Sequence, residues 1–247
     1  DEYNVRYINN SEIYLFVQTD AYVQIEKQVN KILYEYQNND SGKEFTMPTI
    51  IPVRGYRNLV HNLFVVVPLY EPLINKKDKT KLDITILGNG IIGTEAFLSA
   101  YWFGQMLISS ETDGKASISE CEMTINIVSK DSEDVFWSKI DYVNPEIRQS
   151  VRIIRDDGSV QEGSDELLKF NSNGELNKAY CNVRYRQFDV KIGGFWEEKS
   201  KLTKELFNTD YFIVALGNDA DNISIAEKLR RTLAKRYMEN PSKRRNT

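Results

Sequence analysis

The chain has 247 residues, 41% of them hydrophobic and 28% charged, with a net charge of −4 and an isoelectric point near 5.3. That is enough apolar material for one large α/β domain or two small ones. The mildly acidic balance exerts no global pull toward nucleic acid or anionic lipid, so neither is expected as a partner.

The opening Asp-Glu-Tyr without Met and the tail NPSKRRNT lead to the expectation of a piece of a longer protein with further domains. Cys121 and Cys181 are too few for a disulfide framework, and neither has His or Cys at metal-ligand spacing, so a cytoplasmic setting is expected. The longest apolar run, 91–108, is broken by Thr94, Glu95, Ser99 and Gln105, and no direct membrane insertion is expected.

In chain order, EIYLFVQT (12–19) reads as a strand and residues 21–37 as a helix, with Val23, Ile25, Val29, Ile32, Leu33 and Tyr36 at helical spacing. MPTIIPV (47–53) reads as a second strand, and residues 57–74 as a helix kinked or ended near Pro68. NKKDKTK (75–81) is a charged connector, which places a small α/β unit at 1–80 and a larger domain at 81–240.

The larger domain opens with a strand from Leu82, then ILGNGIIG (86–93), then a helix over 91–107. Residues 108–120 read as a polar loop, 123–131 as a strand and 132–143 as a short helix. An insert at about 144–180 carries Asp-Gly and Asn-Gly turn signals, which suggest hairpin-like material around a short helix near 164–169. A strand at 181–190, a helix at 195–208, a buried strand at 210–217 and an amphipathic helix at 222–237 complete it. In that last helix Ile223, Ala226, Leu229, Leu233 and Tyr237 are expected to share the buried face. This alternation predicts an α/β fold with a Rossmann-like, mostly parallel sheet covered by helices on both faces.

The glycine motif has a physical reading. Gly88 permits a tight turn, Gly90 lets backbone approach a pyrophosphate, and Gly93 lets helix and strand pack closely. Asn89 and Ile91 would then sit at the phosphates, on free helix N-terminal amides. The same chemistry asks for a carboxylate at the end of the second strand, to accept hydrogen bonds from ribose hydroxyls. Here that end reads NIVSKDSED, with Ser129 in the acid's place, Lys130 beside it and Asp131 two residues beyond. Ser129 and Lys130 would suit a 2′-phosphate better than an acid does; alternatively the three residues begin a solvated loop.

Residues 82–237 resemble the RCK domain, also called KTN or TrkA-N type, of potassium-transport regulators. The likeness rests on ILGNGIIG (86–93), on RQFDV (186–190), and above all on DYFIVALGNDADNISIAEKLRR (210–231). It implies a site holding NAD, NADP or another adenine nucleotide, with Gly88, Asn89, Gly90, Gly93, Asp189, Ala215, Gly217 and Asn218 near the ligand. It also implies a non-catalytic sensing module that self-associates. Ser129 and the enlarged 144–180 depart from that pattern.

Catalytic sets are poorly represented. His61 is the single histidine and lies in an apolar helix pattern, and the two cysteines sit beside strands. No Ser-His-Asp set or metal cluster stands out. Two other readings stay open: an NAD(P)-dependent oxidoreductase, and a structural interaction domain with an empty cleft.

Overall fold

The computed structural model describes residues 12–17, 27, 28, 31, 34, 49–74, 80–112, 115–163, 181–196 and 208–239. The chain divides into two compact units, Asp1–Asn62 and Leu63–Thr247. In the first, β1 (Glu12–Val17) and β2 (Thr49–Arg54) pair in parallel. Lys27, Gln28, Lys31 and Tyr34 are helical; the rest of the helix expected over 21–37 lies outside the described residues.

Helix α1 (Gly55–Val66) crosses the division. Pro68 separates it from α2 (Glu71–Ile74), as a residue without an N–H and with a fixed φ should.

The second unit is built on a six-stranded sheet of β3 (Lys81–Leu87), β6 (Glu122–Ser129), β7 (Arg152–Ile154), β8 (Val160–Gln161), β9 (Cys181–Gln187) and β10 (Tyr211–Val214), in the order β10-β3-β6-β9-β7-β8. Every pairing in it is parallel except β7 with β8. The expected α/β architecture is therefore present.

Strand register explains how both faces are covered. Ile86, Ile127 and Tyr185 are lateral neighbours on one face. Helices α3 (Ile91–Phe103) and α4 (Glu133–Val143) cover that face. Phe136 of α4 stacks on Tyr185 with ring centroids 5.3 Å apart, and Phe97 of α3 meets Phe136 edge-on at 5.1 Å. Residues one step along each strand turn the other way. There Leu87 and Val128 join Val190, Phe195 and Ile225 in a second cluster, which brings in α6 (Asp219–Glu239).

Three expectations are corrected. The helix after the glycine motif stops at Phe103, not 107: Gly104 is its C-cap, donating its amide to the Ala100 carbonyl at 2.8 Å, and a β-carbon there would be 2.1 Å from the Met123 sulfur. Residues 108–120 are not a loop but an antiparallel pair, β4 (Leu107–Thr112) with β5 (Lys115–Glu120). Asp113-Gly114 between them is a favoured two-residue hairpin sequence. In α6 it is Ile225 and Leu229 that are buried, while Ile223 is 68% exposed and Ala226 is exposed.

Within the insert, α5 (Pro145–Ser150), with Pro at its first position, leads into β7, and Asp156-Asp157-Gly158 turns back into β8. The Asp-Gly signal thus does mark a hairpin, but its first strand also extends the main sheet beside β9. The helix expected near 164–169 lies outside the described residues. Of that expected over 195–208, the described start is a 3-10 turn, Gly193–Trp196.

Phe97 is fully buried against Phe136 and Trp137. Truncating it to Ala is expected to cost about 3–5 kcal/mol, read as a lower urea midpoint with an unchanged denaturant dependence.

Candidate functional site

From β3 the chain moves to β6 on one side, and β10 later arrives on the other side of β3. In an open parallel sheet that reversal leaves a crevice beyond the carboxyl ends of the two strands. The segments found there are Gly88–Gly90 and Ala215–Asn218. The amide of Gly88 donates to the Val128 carbonyl at 2.8 Å, and that of Ala215 to the Leu87 carbonyl at 2.8 Å, so the end of β3 is fixed from both flanks.

The glycines have distinct structural duties. Gly88 has φ of +107°, a left-handed value, and a β-carbon on it would lie 2.2 Å from the Ala215 carbonyl oxygen. A β-carbon on Gly93 would lie 2.1 Å from the Gly88 oxygen. Gly90 differs: a β-carbon there would meet nothing within 4 Å. Two glycines are thus demanded by packing, and the third faces open space above the loop.

That third glycine is the N-cap of α3, which has no side-chain cap hydrogen bond and no acidic residue in its first turn. Its first amides therefore lack the partners that a Ser, Asp or Asn cap supplies. Helix α6 starts at the other lip of the crevice with opposite provision. Asn218 Oδ1 accepts from the Asp221 amide at 2.9 Å, and Asp219 and Asp221 occupy the first turn. The N-terminus open to an anion is that of α3.

Asn89 does not reach outward with its side chain. It is 3% exposed, its Nδ2 donates to Tyr185 Oη at 3.1 Å, and its Oδ1 accepts from Ser129 Oγ at 2.9 Å. The Tyr185 hydroxyl donates onward to the Asp131 carbonyl at 2.9 Å, and the Asp131 amide donates to Ser129 Oγ at 3.3 Å. Burial holds the Tyr185 phenol above its ordinary pKa, so it stays a neutral donor. The Asn89 carbonyl accepts from Lys139 Nζ at 2.8 Å and from Thr94 Oγ1 at 3.2 Å.

Ser129 is thus buried, 6% exposed, and joined to the glycine loop. Lys130 is exposed, and its carbonyl accepts from Gln187 Nε2 at 3.3 Å. Asp189, after β9, uses Oδ1 to accept the Lys191 amide at 2.9 Å within its own turn. Ile91 is 49% exposed at the start of α3, and Gly217, with φ of +93°, and Asn218 are exposed beyond β10. The fold brings Gly88, Asn89, Gly90, Gly93, Ser129 and Ala215 together. Asp189 makes no described contact with the glycine loop.

Three participants were not singled out from sequence: Tyr185, Lys139 and Lys191. Tyr185 had a signal, since two-residue alternation along CNVRYRQ places it on the Cys181 and Val183 face, a polar-tipped residue on an apolar side. Nothing in the sequence separates Lys139 from other helix lysines. Lys191 Nζ donates to Asp221 Oδ2, which also accepts from Asn218 Nδ2 at 2.5 Å, and this latches the loop after β9 to the start of α6.

Cys121 and Cys181 are buried, and burial pushes the Cys181 thiol far above its ordinary pKa. His61, on α1, has its pKa lowered by burial and by the charge of Arg57. Among the described residues no cluster of His, Cys, Asp and Glu could hold a metal ion, and no helix is long and apolar enough to cross a membrane. No protein-family model matches the chain, and none of the curated proteins compared with it matches.

Gly93→Ala is expected to lower stability by about 1–3 kcal/mol, because the clash is with backbone that cannot rotate away; a melting temperature equal to wild type would contradict the close packing. Acid unfolding checks the latch. The Lys191 hydrogen bond, then that of Asn218, holds Asp221 below its ordinary pKa of 3.8. A carboxyl lowered in the folded state stabilises above that value, and the contribution fades as pH falls through the folded one. Asp221→Asn should therefore flatten part of the decline in melting temperature below about pH 4, and unchanged acid sensitivity would count against it.

Proposed function

We propose that the second unit is a non-catalytic nucleotide-binding module that senses NAD, NADP or another adenine nucleotide and passes the signal to further domains or copies of the chain. The observation that carries this is the uncapped N-terminus of α3, opening beneath Gly90 at the point where the strand order reverses. Free amides with a helix dipole behind them suit a phosphate, and the absence of a side chain at Gly90 leaves room for its approach.

The groups nearest the loop favour binding over turnover. The Tyr185 hydroxyl spends its proton on a backbone carbonyl and is held neutral by burial, which makes it a poor general base. Ser129 and Asn89 are committed to each other. On the ribose side the side chain left facing solvent after Ser129 is that of Lys130, which accommodates a ligand with or without a 2′-phosphate. The likeness to potassium-transport regulator domains agrees with a regulatory role and with self-association.

A thermal-shift screen of NAD, NADH, NADP, ATP, ADP and cyclic dinucleotides tests the reading. A ligand present at about 100 times its Kd should add about 2.7 kcal/mol to wild type. Gly90→Val provides the control. With open space around that position the variant should lose at most about 1 kcal/mol of stability, while its response to ligand disappears. No shift with any adenine nucleotide would sink the sensor reading, and turnover of a reduced cofactor with an aldehyde or keto acid would replace it with an oxidoreductase.

A further inference from the structure

Lys139 sits in the middle of α4 with its ammonium 2.8 Å from the Asn89 carbonyl, on the loop that opens α3. Its partner there is neutral. Residues three and four positions away on the helix are Val135, Phe136, Tyr142 and Val143, so the helix offers it no acid at ion-pair spacing. The closest acids in sequence are otherwise placed: Asp141 is bound by Arg148, Asp134 is exposed in the first turn of α4, and Glu133 receives Trp137 Nε1 and Arg155 Nε. Among the described residues no carboxylate pairs with Lys139.

Lys139 is half-buried, and a lysine paired with no carboxylate among the described residues is an unusual thing to hold against a loop. The Asn89 carbonyl already accepts a second hydrogen bond, from Thr94, so holding that oxygen in place does not by itself require a cation. An ammonium has three N–H donors and the Asn89 carbonyl takes one, which leaves donors for another acceptor. The nearest strong field is that of the uncapped α3 N-terminus, also positive. Two positive features thus converge on one loop, with Asp131 and Glu133 acting on the Tyr185 side of it and no carboxylate paired with Lys139 among the described residues; together they are complementary to an anion.

Resting on the nucleotide reading, we propose that Lys139 is the counter-cation of the glycine-loop site, sharing its ammonium between the Asn89 carbonyl and a ligand phosphate and so setting a preference for phosphorylated ligands. Lys139 adds charge where the α3 amides add direction. The bare nucleoside, which brings no charge, gains nothing from it.

Calorimetric titration of the full chain with inorganic pyrophosphate, ADP and adenosine, in wild type, Lys139→Gln and Lys139→Arg, tests this. Lys139→Gln is expected to weaken pyrophosphate and ADP by about tenfold or more, the scale of one charge-assisted hydrogen bond. Adenosine binding should stay as in wild type, Lys139→Arg should retain most of the phosphate affinity, and the wild-type advantage should shrink as salt rises toward about 1 M. Should Lys139→Gln fold poorly, Lys139→Met repeats the test with a second neutral side chain. Equal pyrophosphate binding by wild type and the neutral variants overturns the Lys139 assignment alone. So does a matched loss of adenosine, which would make Lys139 a brace for the loop, and so does a Lys139→Arg protein as impaired as Lys139→Gln. Wild type that binds none of the three probes overturns the nucleotide reading and this assignment together.

Discussion

Backbone meets backbone at Gly88, and the geometry of the crevice depends on that contact. The end of β3, the first turn of α3 and the end of β10 approach so closely that a β-carbon on Gly88 or Gly93 would lie within about 2.2 Å of a carbonyl oxygen. Glycine in such a place carries an entropic cost of roughly 0.5–1 kcal/mol relative to Ala in regular structure. The cost is offset by what the contact permits: α3 starts just past the strand end, with Gly90 as its N-cap, no side-chain cap hydrogen bond and open space around that glycine. A wider loop would leave the same helix dipole pointing at solvent, where water screens it.

Asn89 completes that arrangement from below. Its amide bonds to Ser129 and Tyr185 at the ends of β6 and β9, and Tyr185 in turn stacks on Phe136. A loop rich in glycine would otherwise be free to sample several conformations, and each of them would misplace the α3 amides. Fixing it with a buried polar network keeps the open surface at Gly90 made of backbone. Ser129 is thereby part of the support for the loop.

The features most legible in the sequence were those with a strong local cause. The apolar run ending at Leu87, the three glycines and the strand before Ala215 each carry a periodic or steric signature that survives any tertiary context. The β4–β5 hairpin was hidden because ISSET and KASISE are rich in Ser and lack the large apolar alternation that marks a strand, even though Asp-Gly stands between them. The buried face of α6 was misread because both Ile223 and Ile225 fit a helical spacing, and the sheet to which α6 docks selects Ile225. At the site, the positions of Gly88 and Gly93 could be reasoned from sterics. The inward turn of Asn89 could not, since it depends on Tyr185, 96 residues further along the chain. Lys139 was equally hidden, because its contact with the Asn89 carbonyl joins residues 50 apart in the chain.

The two helices that border the crevice are charged oppositely at their starts, and this asymmetry follows from how each is capped. Helix α6 carries Asp219 and Asp221 in its first turn and an Asn218 cap, so its positive end is neutralised within the protein, with Lys191 tied into the same latch. Helix α3 carries none of these, and Lys139 adds a positive charge beside it. A negatively charged group entering between β3 and β10 therefore meets attraction on one lip and acid on the other. On the proposed nucleotide reading, the phosphates would lie over Gly90, while the α6 lip caps and latches its own helix start.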